Sequence, residues 1–214
     1  MPGRAATIGL VRRNPCTVIV LAGPVRAEVL TRIGRSMNVT LARPAEPADA
    51  DADADDAMAT AAAALRQAAR AMSPYALLAA DPLAAVADGW RSMWDGSRPQ
   101  GPTGFEQEAA KVLSAWRAGL FELPDYYLLT ATSAGGGEPS NPGEPGPDFH
   151  LGPLRSVRPH RVAFVAAAEP AQQAAGILHT LGSLRPGRWW PGLDEVIETV
   201  RGFYPGRLAE TAGR

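Results

Sequence analysis

The stretch Cys16–Pro24, CTVIVLAGP, decides the fold class. From Cys16 to Ala22 the side chains are apolar or β-branched, without the polar alternation of a half-exposed strand. Such a run is typical of a strand covered on both faces, as in sheets that lie between layers of helices. Gly23–Pro24 then breaks the strand, and Val25–Gly34 carries apolar residues at helical spacing. Together they predict an α/β protein.

The rest of the chain predicts more elements of both kinds. Further strands are expected at Asn38–Ala42, Tyr75–Ala80 (alternatively the end of the preceding helix), Tyr126–Thr132, Phe149–Leu154 and Arg161–Ala167. Further helices are expected at Met58–Met72, Leu83–Trp94, Phe105–Leu120, Ala171–Leu184 and Leu193–Phe203. Strands alternate with helices early and cluster late, so we expect a mixed sheet of about five to six strands with helices on its faces. Its N-terminal half is predicted to be parallel, and the last two strands are predicted to form an antiparallel hairpin.

Length and composition predict one domain. The chain has 214 residues and 46% hydrophobic content, enough to build a core without disulfides. We therefore expect a single α/β domain over residues 1–214, with two flexible insertions. Residues 44–56 are an acidic Ala/Asp linker, and residues 133–147 are a Gly/Pro-rich loop; neither offers apolar surface to bury. The single cysteine, Cys16, excludes an internal disulfide framework and a zinc site of several thiolates.

Charge and targeting signals place few constraints on function. There are 21 basic and 22 acidic residues, for a net charge of −1, so the total charge predicts no polyanion binding. Twenty of the basic residues are arginine and one is lysine, a bias typical of GC-rich genomes, and we expect a bacterial source. No apolar run has the length of a signal peptide or a membrane span. We expect a soluble, cytoplasmic protein without membrane contact.

No residue pattern predicts catalysis, a cofactor or a metal site. Gly23 and Arg26, in the turn after the first strand, are candidate anion ligands, but the turn lacks the lysine and Ser/Thr of a P-loop and the glycine spacing of a dinucleotide fingerprint. We interpret Cys16 as a buried, unreactive thiol rather than a nucleophile, because free cysteine is among the residues most often buried. His150 and His160 would face each other across the expected hairpin and, with Asp148, would permit a metal site, although ordinary surface histidines are the commoner case.

A basic and aromatic region is the stronger candidate for ligand binding. It comprises two groups, Arg155, Arg158, His160 and Arg161 in the first, and Arg185, Arg188, Trp189 and Trp190 in the second. Arginine reads phosphates or carboxylates in bidentate fashion, and tryptophan stacks on bases, so this composition suits a nucleotide, a single-stranded nucleic acid or an acidic partner. Structural packing is the simpler alternative. The acidic residues 46–56 have the opposite sign and would compete for the same arginines.

These observations rank three classes of function. A non-catalytic interaction or adaptor protein with an unknown protein partner is favoured, because no catalytic constellation is visible. The alternative is a nucleotide- or nucleic-acid-binding protein that uses a degenerate strand–turn–helix phosphate site and the Arg/Trp region. An enzyme with dispersed catalytic residues comes third.

Overall fold

One parallel sheet organises the molecule. The structure, a computed structural model, describes residues 16–23, 25–42, 54–94, 101–131, 148–166, 169–185, 187 and 190–204. The strands of this sheet are β1 (Thr17–Ala22), β2 (Val39–Ala42), β3 (Tyr75–Leu78), β4 (Tyr126–Ala131) and β5 (Val162–Ala166). Their spatial order is β2-β3-β1-β4-β5, and every pair of neighbours is parallel. β1 is therefore the central strand, and the chain must cross the sheet's faces between successive strands.

Helices cover both faces, which confirms the α/β class. Within the described ranges they are α1 (Ala27–Ile33), α2 (Ala54–Ala68), α3 (Ala84–Ser92), α4 (Gly101–Arg117), α5 (Arg155–Val157), α6 (Pro170–Leu181) and α7 (Leu193–Arg201). α1 and α6 pack on one side of the sheet, called here the α1/α6 face. α2, α3, α4 and α7 pack on the other, called here the α4 face.

β1 is buried on both faces, as its composition predicts. Val18 and Val20 belong to the core of the α4 face, and Ile19 and Leu21 belong to the core of the α1/α6 face. The backbone is also held on both sides, because β3 and β4 each pair with β1 over four residues. Because neither face of β1 meets solvent, a continuous run of apolar side chains is more stable here than an alternation of apolar and polar ones.

The predicted C-terminal hairpin is wrong, and the described residues form five strands and no sixth. Residues His150–Leu154 form a π-helix, which continues into α5 and then a 3-10 turn at Pro159–Arg161. Asp148 starts this helical segment, because its Oδ1 accepts hydrogen bonds from the backbone N–H groups of His150 and Leu151, both at 2.9 Å. Pro153 has no N–H to donate to a strand ladder. The sheet is therefore wholly parallel, with β5 at its edge.

The two predicted insertions fall mostly outside the described residues. α2 begins at Ala54, so the last three residues of the acidic segment 44–56 are helical, and the rest of that segment is not described. The Gly/Pro-rich segment 133–147 also lies outside the described residues. Among the helices of the described part, none combines the length and the hydropathy that crossing a membrane requires.

Candidate functional site

The chain leaves two neighbouring strands in opposite directions at the carboxyl edge of the sheet. After β1 it turns to α1 on the α1/α6 face, and after β3 it turns to α3 on the α4 face. β1 and β3 are hydrogen-bonded neighbours. Such a topological switch point is where open parallel sheets leave a crevice between diverging loops, and where they bind ligands. The residues just beyond β1 and β3 are therefore the first place to look for a site.

Gly23 makes the turn that follows β1. Its φ is +93°, a left-handed conformation that favours glycine, and a Cβ at this position would lie 3.0 Å from the carbonyl oxygen of Thr130 in β4. A side chain would therefore meet both backbone strain and the neighbouring strand. Arg26 lies three residues on, directly before α1, with an exposed side chain. At the carboxyl edge the turn therefore presents the backbone of Gly23, which no side chain covers, and the exposed side chain of Arg26.

A buried Asp–His pair lies beside this turn. Val20 is paired with Leu78, so Gly23 and Asp81, each three residues further on, leave the sheet at the same level. Oδ2 of Asp81 lies 2.8 Å from Nε2 of His150, and the two side chains are only 9% and 10% exposed. A carboxylate accepts hydrogen bonds, so the proton of this contact belongs on Nε2.

Both partners of the pair are held from the backbone. Oδ1 of Asp81 accepts a hydrogen bond from the N–H of Leu83 at 2.8 Å, which fixes the carboxylate at the start of α3. His150 opens the π-helix, whose first N–H groups are held by Asp148. π-Helical turns are uncommon and occur frequently at functional sites. The imidazole is thus oriented by two separate parts of the chain.

Tyr127 completes the cluster from β4. Its ring centroid lies 5.3 Å from that of His150 and 5.8 Å from that of Trp190, and the tyrosine and tryptophan rings are nearly perpendicular. The tyrosine is fully buried, and its hydroxyl has no hydrogen-bond partner among the described residues. Burial, and then the charge of Asp81, raises the pKa of Tyr127 well above its usual value. The hydroxyl therefore stays protonated at ordinary pH and remains a potential donor.

Successive residues of a strand alternate between the two faces of a sheet, so Tyr126 and Tyr127 are expected on opposite faces of β4, one inward and one outward. They do lie on opposite faces, but both are buried, because helices cover both sides of β4.

The predicted basic region lies mainly at the opposite end of the sheet. Arg161 directly precedes β5, and its Nη1 donates a hydrogen bond to the hydroxyl of Tyr126, the first residue of β4. Its guanidinium carbon also lies 4.6 Å from the centre of that ring. The backbone N–H of Arg185 donates to the same hydroxyl at 3.4 Å. Its Nη1 donates to the carbonyl of Gly182, the residue directly after α6, at 3.1 Å, and to the carbonyl of Leu184 at 2.8 Å. These two arginines meet at the amino edge, away from Gly23.

The remaining predicted residues are divided among several places. Arg155 is half-buried in α5, whereas Arg158 and His160 are exposed beside it. Trp190 lies on the α4 face, and its Nε1 donates to the carbonyl of Pro124 at 2.8 Å. Arg188 and Trp189 lie outside the described residues. Of the described members, Arg161, Arg185 and Trp190 all contact the start of β4, the two arginines at Tyr126 on one face and Trp190 at Tyr127 on the other.

The interpretation of His150 and His160 as a cross-hairpin metal pair loses its basis. Without a hairpin the two side chains no longer face each other, since His150 is buried against Asp81 and His160 is exposed on the 3-10 turn. In the described part of the chain, no group of three or more His, Cys, Asp or Glu side chains has the arrangement of a metal site.

The Asp81–His150 pair was not predicted, because its members lie 69 residues apart in the chain. Taken locally, Asp81 followed by Pro82 is the pattern of a helix start, and His150 was predicted to lie in a strand at Phe149–Leu154 and to face His160. A usable signal was present, since an acid three residues after an apolar strand falls at the carboxyl edge of a parallel sheet.

The arrangement offers three kinds of recognition, two at the carboxyl edge and one from Tyr127, which pairs with Val20 in the sheet, three residues before Gly23. The Gly23 turn and Arg26 suit an anionic group, the Asp81–His150 pair suits a polar group, and the buried Tyr127 hydroxyl offers one hydrogen bond. No protein-family model, no curated protein and no solved structure matches this chain.

Proposed function

We propose that this protein binds a nucleotide in the crevice at the carboxyl ends of β1 and β3. The observation that carries the proposal is the Asp81–His150 pair, nearly buried and oriented from both sides, at a topological switch point. A polar pair of this kind is costly to bury for packing alone, and it lies where parallel sheets bind small molecules.

The anionic end of the nucleotide is assigned to the Gly23 turn. Gly23 allows close approach of a phosphate to the backbone, and Arg26 supplies a charge that forms bidentate hydrogen bonds with phosphate oxygens. The turn lacks the P-loop lysine, and the chain's single lysine, Lys111, is on α4 and paired with Glu108. We therefore propose binding without hydrolysis.

The nucleic-acid form of this function is less favoured than the nucleotide form. A single-stranded polymer needs a basic groove lined by stacking rings. Arg161 and Arg185 are engaged with Tyr126 at the amino edge, while Trp190 packs on Tyr127 on the other face. A compact ligand at the carboxyl edge needs no such continuous surface.

The test is isothermal titration calorimetry of ADP into the whole protein. We expect one saturable site with a Kd below about 1 mM, weakening as salt rises. Arg26→Ala should weaken binding roughly tenfold, the effect of losing one charge-assisted contact. Arg35→Ala, an exposed arginine just beyond the other end of α1, is the matched control and should bind like wild type. No heat of binding, or equal losses in both variants, would contradict the proposal.

A protein-interaction role is the second candidate, and one surface feature favours it. Met37 and Met72 are 97% and 90% exposed. They precede the paired strands β2 and β3, whose starts are joined by the hydrogen bond from the N–H of Tyr75 to the carbonyl of Asn38. Methionine pairs are adaptable contact surfaces for partner proteins.

This second candidate has its own test. A partner that co-purifies with the wild type at high salt and is lost from Met37→Asp/Met72→Asp would support an adaptor. The same yield of that partner from both proteins would exclude this surface.

A further inference from the structure

The Tyr127 hydroxyl is the starting point, because it is buried without a partner among the described residues. An unpaired hydroxyl in a dry interior costs on the order of 1–3 kcal/mol, so such groups normally meet a water or a ligand atom. The tyrosine ring contacts those of His150 and Trp190, at centroid distances of 5.3 and 5.8 Å. Its position beside the Asp81–His150 pair places the unmet hydrogen bond within the site already described.

The second group is Nδ1 of His150. Asp81 holds Nε2, and none of the described residues is hydrogen-bonded to Nδ1. In the Nε2–H tautomer of imidazole, Nδ1 is a hydrogen-bond acceptor. The cluster thus combines one acceptor, Nδ1, with one donor, the Tyr127 hydroxyl.

A donor and an acceptor side by side limit which chemical group of a ligand can bind to both. A hydroxyl group both donates and accepts, so one hydroxyl satisfies an acceptor and a donor together. A carboxylate or phosphate oxygen satisfies only the donor, and it would also lie near the negative charge of Asp81. An apolar group satisfies neither.

We infer that Tyr127 and His150 form a subsite for a ligand hydroxyl, in which Tyr127 donates to the hydroxyl oxygen and Nδ1 of His150 accepts its proton in a hydrogen bond. The inference rests on the proposed nucleotide function, and it assigns the ribose hydroxyls to this subsite. Asp81 is a positioning residue, since it sets the tautomer and orientation of His150 and is itself occupied by Leu83 and His150.

The experiment compares the affinities of ADP and 2′,3′-dideoxy-ADP by calorimetry. Wild type should bind ADP roughly tenfold more tightly, since the dideoxy compound leaves the donor and the acceptor unpaired. Tyr127→Phe should reduce this ratio to below about threefold, because only the oxygen that contacts the ribose is removed. Tyr126→Phe, which removes the neighbouring hydroxyl on the opposite face, is the matched control and should keep the wild-type ratio.

Nitrogen NMR of the histidine rings gives a second readout that packing alone would not change. The ¹⁵N resonance of Nδ1 of His150 should move on addition of ADP and stay in place with the dideoxy compound.

The possible failures can be told apart. Equal binding of the two nucleotides would overturn the hydroxyl subsite but leave nucleotide binding intact, with a buried water then satisfying Tyr127. A Tyr127→Phe variant that keeps the full ratio would also overturn the subsite, because the ribose would be recognised elsewhere. Absence of binding by both nucleotides would overturn the proposed function and the subsite with it.

Discussion

At the scale of single residues, Gly89 sets how closely α3 and α4 approach. A Cβ at this position would lie 2.9 Å from Cα and 3.0 Å from N of Phe105, and these are backbone atoms that cannot rotate away. Gly89→Ala should therefore destabilise the protein by about 1–3 kcal/mol, measured by urea unfolding. Gly182→Ala at the end of α6, where the nearest atom would be 3.4 Å away, should change stability by less than about 1 kcal/mol. Equal effects would show that the α3–α4 contact is less close than described.

The two adjacent tyrosines of β4 should respond differently to loss of the hydroxyl. In the free protein, Tyr127→Phe removes a buried hydroxyl that has no partner among the described residues, so the free energy of unfolding should stay the same or rise slightly. Tyr126→Phe removes the acceptor for Arg161 and Arg185 and should cost about 1–2 kcal/mol. Urea unfolding without nucleotide measures both. A larger loss for Tyr127→Phe would mean that its hydroxyl is already bonded.

At the scale of elements, Glu106 joins α4 to α7. Its carboxylate accepts hydrogen bonds from Nε and Nη2 of Arg201 at 3.0 and 2.6 Å, and a further one from the hydroxyl of Tyr204. The hydrogen bond from Arg201 is the main reason that the pKa of Glu106 is lowered. A carboxyl whose pKa is lower in the folded state contributes stability above its unfolded pKa, and that stability is lost as the pH falls through the folded value.

Glu106→Gln should therefore be less stable than wild type at pH 7, by about 1 kcal/mol for this partly exposed pair. The difference should shrink as the pH falls below the ordinary glutamate pKa of about 4.3 and through the lower pKa of folded Glu106, because the wild type then becomes protonated and loses the same contribution. Urea unfolding across this pH range measures it. Glu108→Gln, on the same helix but paired with exposed Lys111, is the control and should change stability little. A difference that is constant with pH would contradict the assignment to this carboxylate.

The π-helix depends on Asp148 at its start. Asp148→Ala leaves the N–H groups of His150 and Leu151 without their acceptor and should cost about 1 kcal/mol. Asp148→Asn retains an acceptor oxygen and should recover most of the loss. Thermal unfolding followed by circular dichroism compares the three proteins. If the asparagine variant were no better than alanine, the capping role would be wrong.

At the scale of the whole molecule, the sequence predicts most elements but not how distant ones meet. The run in β1 and the helical spacing of α3 and α4 identify those elements locally, because burial on one or two faces leaves a periodic pattern. Phe149–Leu154 could not be assigned this way, since a short apolar segment fits both a strand and a helix. Two features outside the segment favour the helix over the strand, namely the Asp148 cap and the position of β5 at the edge of the sheet.

The candidate site was predictable only in part, for the same reason. Gly23 and Arg26 stand out because a turn after a buried strand has a local signature. The Asp81–His150 contact depends on the order of the strands and on a helix that follows β4. Neither of these produces a recognisable sequence pattern around Asp81 or around His150. Long-range order assembles this site, whereas local patterns specify its parts.

The most direct test of the central claim, that the carboxyl edge between β1 and β3 is the ligand site, is a titration of the ¹⁵N-labelled protein with ADP, followed by the backbone amide resonances. We predict that the largest shifts fall at Gly23, Asp81 and His150, while the amides of Arg161 and Arg185 at the amino edge stay in place. Shifts concentrated at Arg161 and Arg185, or none at either edge at saturating ADP, would contradict the account.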